Sequence, residues 1–367
     1  MLWSIGDFGN LNIWQDKACI VPHVCVAIVN WNSGPETIEC LESVFRLDYQ
    51  SYQVIVCDNG SSDGSMEDIK AWAEGRLDIL KSGNPKLRAF SFPPIAKPVQ
   101  YVFYDRVSLE SGRNVGDSTA RLILIQTGKN LGFAGGCNVA MRHALERANF
   151  DYVWLLNNDT VVSKDSLSEL VGHMKKRPGA GICGSTLLSY AEPEQIQAFG
   201  GVRYNKWIGT IEPIGEYQSI SKLPKSEAIE KQMSYVLGAS MLVSRQFLCD
   251  IGLLSEEYFL YYEELDWVFR SRNSYSLAYA PKSLVYHKGG GTINSPKVPS
   301  EAIDFLALRN RLYFTYKHAI VAFPIVWIAM VGVVLNRIRR GQIKRVLPII
   351  QLMFGKWELT SILGKKS

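Results

Sequence analysis

The sequence predicts an α/β protein whose centre is a doubly wound, mostly parallel sheet. Two apolar runs rich in β-branched residues, 24–29 and 52–57, have the composition of strands buried on both faces of such a sheet. Between them, residues 36–45 place apolar side chains at helical spacing. A series of strand, helix and strand is the usual beginning of a doubly wound sheet.

The same alternation continues along the first half of the chain. Further strands are predicted at 122–126 and 152–156, with a helix at 138–148 between them. The stretch 82–120 has a proline cluster and no clear period, so we predict an insertion or lid there. Residues 305–318 are predicted to be helical. Polar loops follow the strands, and ligands of such sheets bind beyond the carboxyl ends of the strands.

Composition and charge limit the class of protein. The 367 residues suffice for one large α/β domain with an appendage or for two modest domains, and 47% hydrophobic residues are normal for a globular core. The net charge of +5 is concentrated in residues 336–367, where eight Lys or Arg and one Glu give +7, which leaves −2 for the rest. A uniformly basic surface for nucleic acid is therefore not indicated, and no nucleic-acid partner is expected.

The cysteines and the N-terminus indicate the compartment. The seven cysteines have no zinc-like spacing, and their odd number and irregular spacing favour a reducing compartment. The first twenty residues have neither a basic start nor a continuous apolar core, so a signal peptide is not expected.

Two polar loops are candidates for nucleotide binding. Asp58–Ser65 offers the carboxylates, hydroxyls and N–H groups that a ribose and a base edge need, although a solvated turn has the same composition. Asn130–Asn138 is rich in glycine and precedes a predicted helix, and glycines at a helix N-terminus allow close approach of a phosphate. The alternative there is a plain turn between strand and helix.

Two positions are candidates for metal binding. Asp159 follows the fourth strand and offers a hard oxygen ligand to a divalent cation, or else it caps a helix beginning near Ser163. His287 lies beside a glycine-rich loop and is a second candidate ligand, although a lone histidine is more often structural.

Three carboxylates lie within four positions, at Glu263, Glu264 and Asp266, among aromatic residues. Crowded carboxylates in apolar surroundings have raised pKa values, which suits a general base. The alternative is a solvated run of charge.

The C-terminal part predicts contact with a membrane. Ala319–Leu335 is a run of 17 uncharged residues, at the short edge of the range of about 17–25 for a spanning helix. Basic residues follow at once, which favours the cytoplasmic side and anionic lipid. We expect peripheral or monotopic attachment to the inner face of the plasma membrane. A spanning helix and a buried core helix with a solvated tail are the alternatives.

Taken in order, these segments resemble the family 2 glycosyltransferases of the GT-A fold, and most of all the bacterial rhamnosyltransferase-like branch that builds surface polysaccharides. The matching pieces lie between residues 24 and 318. They are Val29-Asn30-Trp31-Asn32, Asp58–Ser65, Asn130–Asn138, Leu156–Thr160, Gly238–Leu242, Tyr262–Asp266, His287–Gly290 and Arg309-Asn310.

The resemblance implies a role for each matching residue. Glu264 falls where the family's Glu-Asp pair has its catalytic Asp, with Glu263 beside it and Asp266 as the alternative base. Asp159 and His287 would bind Mg²⁺ or Mn²⁺. The implied nucleotide-sugar-binding residues are Asn30, Asn32, Asp58, Asn59, Ser61, Asp63, Asn130, Gly132, Gly136, Asn138, Asn157 and Asn158.

The predicted function is that of an inverting, metal-dependent glycosyltransferase. It would move a sugar, rhamnose among the candidates, from a nucleoside-diphosphate sugar to a saccharide or lipid-linked saccharide in cell-surface polysaccharide synthesis. The predicted parts are an N-terminal extension (1–23), a nucleotide-sugar-binding half (24–160), an acceptor-binding and catalytic half (161–318), and an apolar segment with a basic tail (319–367).

A non-catalytic sugar-nucleotide-binding subunit of a polysaccharide assembly complex is the alternative to this function, but such a subunit does not need the acidic trio. A sugar-nucleotide pyrophosphorylase is a third option. It is disfavoured because Asn30-Trp31-Asn32-Ser33 is not a glycine-rich loop with arginine.

Overall fold

A computed structural model describes residues 21–78, 83–105, 108, 120–147, 149–272, 274–289 and 300–358. Several expectations concern residues outside these ranges. They are the expected absence of an N-terminal signal peptide, most of the predicted extension 1–23, Gly290 and much of the second half of the predicted insertion 82–120.

The main sheet is mixed and mostly parallel. Its strands among the described residues are β1 (Val24–Asn30), β2 (Tyr52–Asp58), β3 (Tyr101–Tyr104), β4 (Leu122–Gln126), β5 (Tyr152–Asn157), β6 (Thr160–Val162), β7 (Ala180–Ser189), β8 (Ile196–Phe199), β12 (Ser240–Ser244) and β13 (Ser276–His287). These ten strands lie in the order β3-β4-β2-β1-β5-β12-β7-β13-β6, with β8 beside β7. The five strands from β3 to β5 are parallel to one another, and β12 runs antiparallel to both of its neighbours. A small antiparallel sheet consists of β9 (Gly201–Asn205), β10 (Thr210–Pro213) and β11 (Tyr235–Val236).

Helices cover both faces of the main sheet. The helices of the described residues are α1 (Gly34–Val44), α2 (Ser65–Glu74), α3 (Arg88–Ser91), α4 (Gly132–Arg147), α5 (Ser166–Lys175), α6 (Ser226–Glu230), α7 (Arg245–Ile251), α8 (Glu263–Arg270), α9 (Ser300–His318), α10 (Phe323–Arg339) and α11 (Val346–Met353). Successive residues of β1 alternate between the two cores, with Val24 and Val26 packing toward α1 and α2, and Cys25 and Ala27 packing toward α4. This two-sided burial explains why the strand sequences are continuous apolar runs, and the predicted α/β class is confirmed.

Two predicted features differ from the structure. The glycine-rich segment is not a loop, because α4 begins at Gly132, six residues before the predicted start. A Cβ at Gly136 would lie 2.7 Å from Val29 Cγ1, so the absence of a side chain lets the helix pack closely on β1. The predicted insertion also contributes to the sheet, since Tyr101–Tyr104 pairs in parallel with β4 as an edge strand.

The last three helices form a separate layer. α9, α10 and α11 pack through a small core that includes Leu308, Leu312, Val326 and Met330. In α10 only Val326 and Met330 are buried, and the side turned away from this core exposes large apolar side chains. Among the residues the structure describes, one helical segment, Ile320–Arg339, is long and apolar enough to cross a membrane.

Candidate active site

A cavity of about 1330 Å³ opens at the carboxyl ends of the parallel strands. Val29, Asn59, Gly128 and Asn157, which stand at or just beyond the ends of β1, β2, β4 and β5, all line its wall. The sequence predicted ligand binding at this edge of the sheet.

Half of the predicted nucleotide-sugar-binding residues line this cavity. They are Asn32, Asn59, Asn130, Gly132, Asn157 and Asn158. Asn59 joins two loops, since its amide donates to the Gly132 carbonyl (2.9 Å) and accepts from the Leu131 N–H (3.0 Å). Asn32 has a left-handed φ of 50° and accepts from the Ser62 N–H (2.9 Å), which fixes the loop after β1 against the loop after β2.

Asp58, Asn30 and Ser61 lie beneath the cavity instead of in its wall. The buried Asp58 carboxylate accepts hydrogen bonds from Asn30 Nδ2 (2.6 Å), Ser61 Oγ (2.5 Å), Ser61 N (3.1 Å) and Gln126 Nε2 (2.7 Å). Because these donors occupy both carboxylate oxygens, the direct contact with ribose predicted for Asp58 does not match its surroundings. The three side chains support the shape of the loops.

Asp63, Gly136 and Asn138 also lie outside the wall of the cavity. Asp63 accepts from the N–H and the hydroxyl of Ser65, at the start of α2. Asn138 bonds to both the N–H (3.1 Å) and the carbonyl (2.9 Å) of Leu254, so it ties α4 to the segment before α8. The family resemblance implied binding at these positions, but local capping and close packing use the same residue types.

Asp159 and His287 are neighbours in the cavity, because β13 pairs antiparallel with β6 and places His287 opposite Thr160. His287 Nε2 lies 3.2 Å from Asp159 Oδ1. Asp159 does not cap a helix, since α5 begins only at Ser166.

Gln197 fixes the orientation of the His287 ring. Its Nε2 donates to the His287 carbonyl (2.9 Å), so its Oε1 faces His287 Nδ1 (3.0 Å) and accepts the proton of that atom. His287 Nε2 is therefore the ring nitrogen that faces Asp159 Oδ1 at 3.2 Å, with Asn157 Nδ2 3.4 Å away. An Asp-His pair at this distance fits a shared cation, and hydrogen bonding to the far nitrogen is the usual support of a metal-binding histidine.

This donor set fits a divalent cation that also binds the substrate. Within the described parts of the chain, no group of three or more His, Cys, Asp or Glu side chains is positioned to hold a metal. Mg²⁺ is commonly held by one or two carboxylates together with substrate phosphates, so a pair of protein ligands is sufficient when a diphosphate completes the shell.

Glu264 and Glu263 begin α8, and both line the cavity. Burial raises the pKa of Glu264 to about 7, although the Gly238 N–H donates to its Oε1 (3.2 Å). Burial and the adjacent Glu264 raise the pKa of Glu263 well above its usual range, and Glu263 Oε2 is buried with no hydrogen-bond partner among the described residues. Near neutral pH, Glu263 therefore keeps its proton, while Glu264 ionises and can act as a base.

Asp266 has a different environment. It is fully buried, does not line the cavity, and contacts Arg270 Nε (2.8 Å), His318 Nε2 (2.7 Å) and the Tyr258 hydroxyl (3.1 Å). Burial opposes its ionisation, but the hydrogen bonds from His318 and Arg270 outweigh that effect and lower its pKa to about 2. Such a carboxylate is a structural ion and a poor base.

The segment before α8 is strained, and the side chain of Asn310 helps to hold it in place. Phe259, Tyr261 and Tyr262 have φ values of 65°, 70° and 75°, in the left-handed region that costs bulky residues free energy. Asn310 Nδ2 donates to the carbonyls of Tyr258 (2.9 Å), Leu260 (2.8 Å) and Tyr261 (2.9 Å). Asn310 thus fixes the loop that leads into Glu263 and Glu264.

Several residues of the site carried no functional prediction from the sequence. Trp31, Lys129, Arg311 and Arg345 line the cavity, and Gln197 and Asn310 support groups that do. For Asn310 a signal existed, since Arg309-Asn310 belongs to the family-like series. Gln197 carried none, because it lies in an ordinary short strand.

The protein thus combines a mixed α/β sheet, polar loops at its strand ends, and a cavity that holds paired carboxylates and an Asp-His pair. The model of Glycosyl transferase family 2 matches residues 25–89 and 109–228, about half of the chain. The chain belongs to glycosyl transferase family 2, and this membership together with the sheet confirms the predicted GT-A fold.

Curated relatives are glycosyltransferases. A low-salt glycan biosynthesis hexosyltransferase of Haloferax volcanii is 30% identical over 152 residues, which cover 40% of this chain and 45% of that protein. This match thus spans less than half of the relative's length. An N-acetylglucosaminyl-diphospho-decaprenol L-rhamnosyltransferase of Mycobacterium tuberculosis is 22% identical over 279 residues, 74% of this chain and 78% of that protein.

Solved structures with a similar fold include the mannosyltransferase PcManGT from Pyrobaculum calidifontis in complex with GDP-Man and Mn²⁺. It is 13% identical, the match covers 94% of this chain and 87% of that one, and the TM-score is 0.47. S. aureus TarS in complex with UDP-GlcNAc is 14% identical, with 83% of this chain and 70% of that one covered and a TM-score of 0.43.

Proposed function

We propose that the protein is an inverting glycosyltransferase that uses a nucleoside-diphosphate sugar and a divalent cation. The observation that carries this proposal is that one cavity holds Glu264, a carboxylate that ionises near neutral pH, together with the Asp159–His287 pair. A binding subunit has no need of a buried base beside a cation site.

The nucleotide would occupy the end of the cavity at the strand termini. Asn32, Asn59 and Asn157 offer amide groups to the base and ribose, and Trp31 offers an aromatic face. Lys129, which is exposed at the cavity rim, supplies a positive charge for the diphosphate. Residues 24–160 would then be the donor half, as the sequence predicted.

Transfer would proceed by single displacement at the anomeric carbon. Glu264 removes the proton of the acceptor hydroxyl, the hydroxyl oxygen bonds to the anomeric carbon, and the bond from that carbon to the diphosphate breaks. Attack from the face opposite the leaving group inverts the configuration. When bound, the cation neutralises charge on the departing diphosphate, and Asp159 and His287 are the residues that would hold it. Asn310 keeps Glu264 in place by fixing the preceding loop.

The acceptor half would comprise residues 161–318, and the acceptor would be a saccharide or a lipid-linked saccharide in surface-glycan synthesis. The named activities of the two curated relatives support this class, and rhamnose is one candidate for the transferred sugar. The exposed apolar side of α10, which carries Ile325, Ile328 and Leu335, supports in-plane attachment to a membrane. The exposed Arg339, Arg340 and Lys344 follow it and would contact anionic lipid of the cytoplasmic leaflet.

A donor screen with the purified full chain tests this function. Nucleoside diphosphate release is measured for GDP-, UDP- and dTDP-sugars with Mg²⁺ or Mn²⁺, with and without a panel of saccharide acceptors, beside the Glu264→Gln variant. We expect one donor to be consumed by the wild type and not by the variant. Donor binding without turnover in every combination would support the non-catalytic alternative instead.

A further inference from the structure

One helix, α9, holds the segment 257–266, which carries the proposed base. At the last turn of α9, Lys317 Nζ lies 2.8 Å from Glu257 Oε2, and His318 Nε2 lies 2.7 Å from Asp266 Oδ1. Between these two contacts, an amide of α9 donates to three carbonyls of the strained loop, as described above. The segment is therefore fixed to α9 at its start, along its loop and in its short helix.

Arg309 is a buried cation within this support, and it is only 5% exposed. Its Nη1 donates to the Glu257 carbonyl (2.6 Å) and to Asn310 Oδ1 (2.8 Å), and its Nε donates to the Trp357 carbonyl (3.0 Å). All three acceptors are uncharged, so hydrogen bonds take the place of an ion pair here. Because a buried charge is costly once its partners are lost, each of these acceptors matters for the position of the guanidinium.

The hydrogen bond from Arg309 also orients the Asn310 amide. A guanidinium can only donate, so the amide atom that faces it is the acceptor Oδ1. Asn310 Nδ2 is then the atom that faces the loop carbonyls, which can only accept. Arg309 thus acts on the loop in two ways, directly at the Glu257 carbonyl and indirectly through the Asn310 amide.

The third acceptor of this guanidinium belongs to the segment after α11. The Trp357 ring packs against Tyr313 (5.8 Å between ring centroids) and Tyr316 (5.4 Å) of α9 and against Phe323 (6.5 Å) of α10. Its Nε1 donates to the Leu352 carbonyl (2.8 Å) of α11. These contacts hold the Trp357 carbonyl in place, and the guanidinium joins the layer of the last three helices to the segment 257–266.

We propose, on the basis of the function proposed above, that Arg309 is a positioning residue for Glu264 and that it depends on the Trp357 carbonyl. Without that carbonyl, a buried N–H of Arg309 loses its acceptor, and the guanidinium shifts away from Glu257 and Asn310 to recover one. The loop then loosens, and Glu264 loses its alignment for proton transfer. Neither Arg309 nor Trp357 lines the cavity, so both act on the reaction through other residues.

Two tryptophans of the same layer provide a matched pair of variants. Trp327 packs against Phe354 (6.1 Å between ring centroids) and donates from Nε1 to the Met353 carbonyl (2.9 Å). Among the described residues, no hydrogen bond joins it to Arg309. Trp327→Ala and Trp357→Ala should both lower the melting temperature, but only Trp357→Ala should lower kcat, about tenfold to a hundredfold, with donor KM within about twofold. Equal kcat in the two variants would overturn the proposal.

Changes at Arg309 test the guanidinium itself. Arg309→Met removes all three hydrogen bonds and should lower kcat about tenfold to a hundredfold, while Arg309→Lys keeps the charge and a donor and should lower it less.

The pH profile distinguishes positioning from general loss of stability. A loosened loop admits water to Glu264, so its pKa falls from about 7 toward the ordinary value for glutamate. In Arg309→Met, kcat/KM at pH 6 should therefore rise from about one tenth of its plateau to about half or more. A folded Arg309→Met variant with an unshifted profile would overturn the proposal, whatever its kcat. If this variant does not fold, the two tryptophan variants decide.

The wild type separates failure of this inference from failure of the proposed function. All variants are full-length chains, assayed by release of nucleoside diphosphate from the GDP-, UDP- and dTDP-sugars of the screen above, with its saccharide acceptors and without vesicles. If the wild type consumes no donor under any condition, the proposed function fails and this inference fails with it. If the wild type consumes a donor, and Trp357→Ala and Arg309→Met have the kcat and pH profile of Trp327→Ala, only this inference fails.

Discussion

Glu264 and Asp266 lie two positions apart on one helix, yet their surroundings give them opposite acidities. Burial with one N–H donor raises the pKa of Glu264 to about 7, while His318 and Arg270 hold that of Asp266 at about 2. We expect Glu264→Gln to reduce transfer about a hundredfold to ten-thousandfold while donor binding, followed by calorimetry, is unchanged. Asp266→Asn should lower the melting temperature. If Glu264→Gln stays active while Asp266→Asn is folded but inactive, the base is Asp266 instead of Glu264.

The raised pKa of Glu264 also predicts the pH dependence of activity. The base form appears as pH rises through about 7, so kcat/KM at pH 6 should be about one tenth of its plateau at pH 8 to 9. The measurement is a pH profile at saturating metal. A flat profile between pH 6 and 8 would contradict the assignment.

The stability of the fold should depend on pH in the opposite sense to the activity. The folded chain binds the Glu264 proton more tightly than the unfolded chain does, so this group's contribution to stability is present at low pH and is lost as pH rises through about 7. Glu264→Gln should therefore unfold at a higher temperature than the wild type at pH 8 and at the same temperature near pH 4. Thermal unfolding at the two pH values makes the comparison.

The Asp159–His287 pair predicts that the activity of the protein depends on a divalent cation. Asp159→Ala should lower turnover on the order of a hundredfold or more, because a charge that stabilises the transition state is lost. Gln197→Met should raise the metal concentration needed for half activity about tenfold to a hundredfold, since it frees the His287 ring. Gln195→Met, whose amide contacts Glu192, is the matched control. Full activity in EDTA would rule out the cation.

Residue type alone identified where the polar groups cluster but not which of them face the ligand. Asn59 and Asp58 are adjacent and both buried, yet the former lines the cavity and the latter is used by four donors beneath it. Turns and binding loops use the same Asp, Asn and Ser side chains, so composition cannot separate them. The distinction depends on contacts such as that from Gln126, which is distant in sequence.

At the scale of elements, the loop from Tyr258 to Tyr262 is strained backbone next to Glu264, the proposed base. Asn310→Ala removes an amide whose two N–H groups are shared among three carbonyls, and because a hydrogen bond contributes about 1 kcal/mol, it should lower the free energy of unfolding by about 1–3 kcal/mol. Because the loop precedes Glu264, we expect kcat to fall while donor KM stays within about twofold. Asn336→Ala, on α10 outside the cavity, is the control, and parallel losses in both variants would contradict a positioning role.

Strands that are buried on both faces could be predicted because their sequences are continuous apolar runs, as in β1 and β2. Tyr101–Tyr104 was missed because a four-residue edge strand in a proline-rich stretch has no usable period. The early start of α4 was missed because glycine has low helix propensity, which the close packing of Gly136 on Val29 overrides. Both misses are cases in which tertiary contacts outweigh local preference.

At the scale of the whole molecule, the exposed side of α10 predicts binding to anionic membranes. The full chain should float with phosphatidylglycerol vesicles, and less so at high salt, because each basic residue near the surface adds about 1 kcal/mol that salt screens. Replacement of Ile325, Ile328 and Leu335 by Gln should abolish flotation without unfolding the protein, since all three are exposed. The same change at Phe103, Ile208 and Tyr217, exposed elsewhere, is the control. Flotation that survives the α10 changes would exclude this face as the contact.

The pairing of β13 with β6 has a consequence for the order in which the protein is made. Asn157 and His287 are 130 residues apart in sequence, and ribosomes add about 5–20 residues per second, so about 6 to 26 s pass between their syntheses. During that interval the emerging chain carries the loops after β1 and β2 and Asp159 but not His287. If the protein is the glycosyltransferase proposed above, the growing chain therefore lacks a complete Asp159–His287 pair until β13 has been translated.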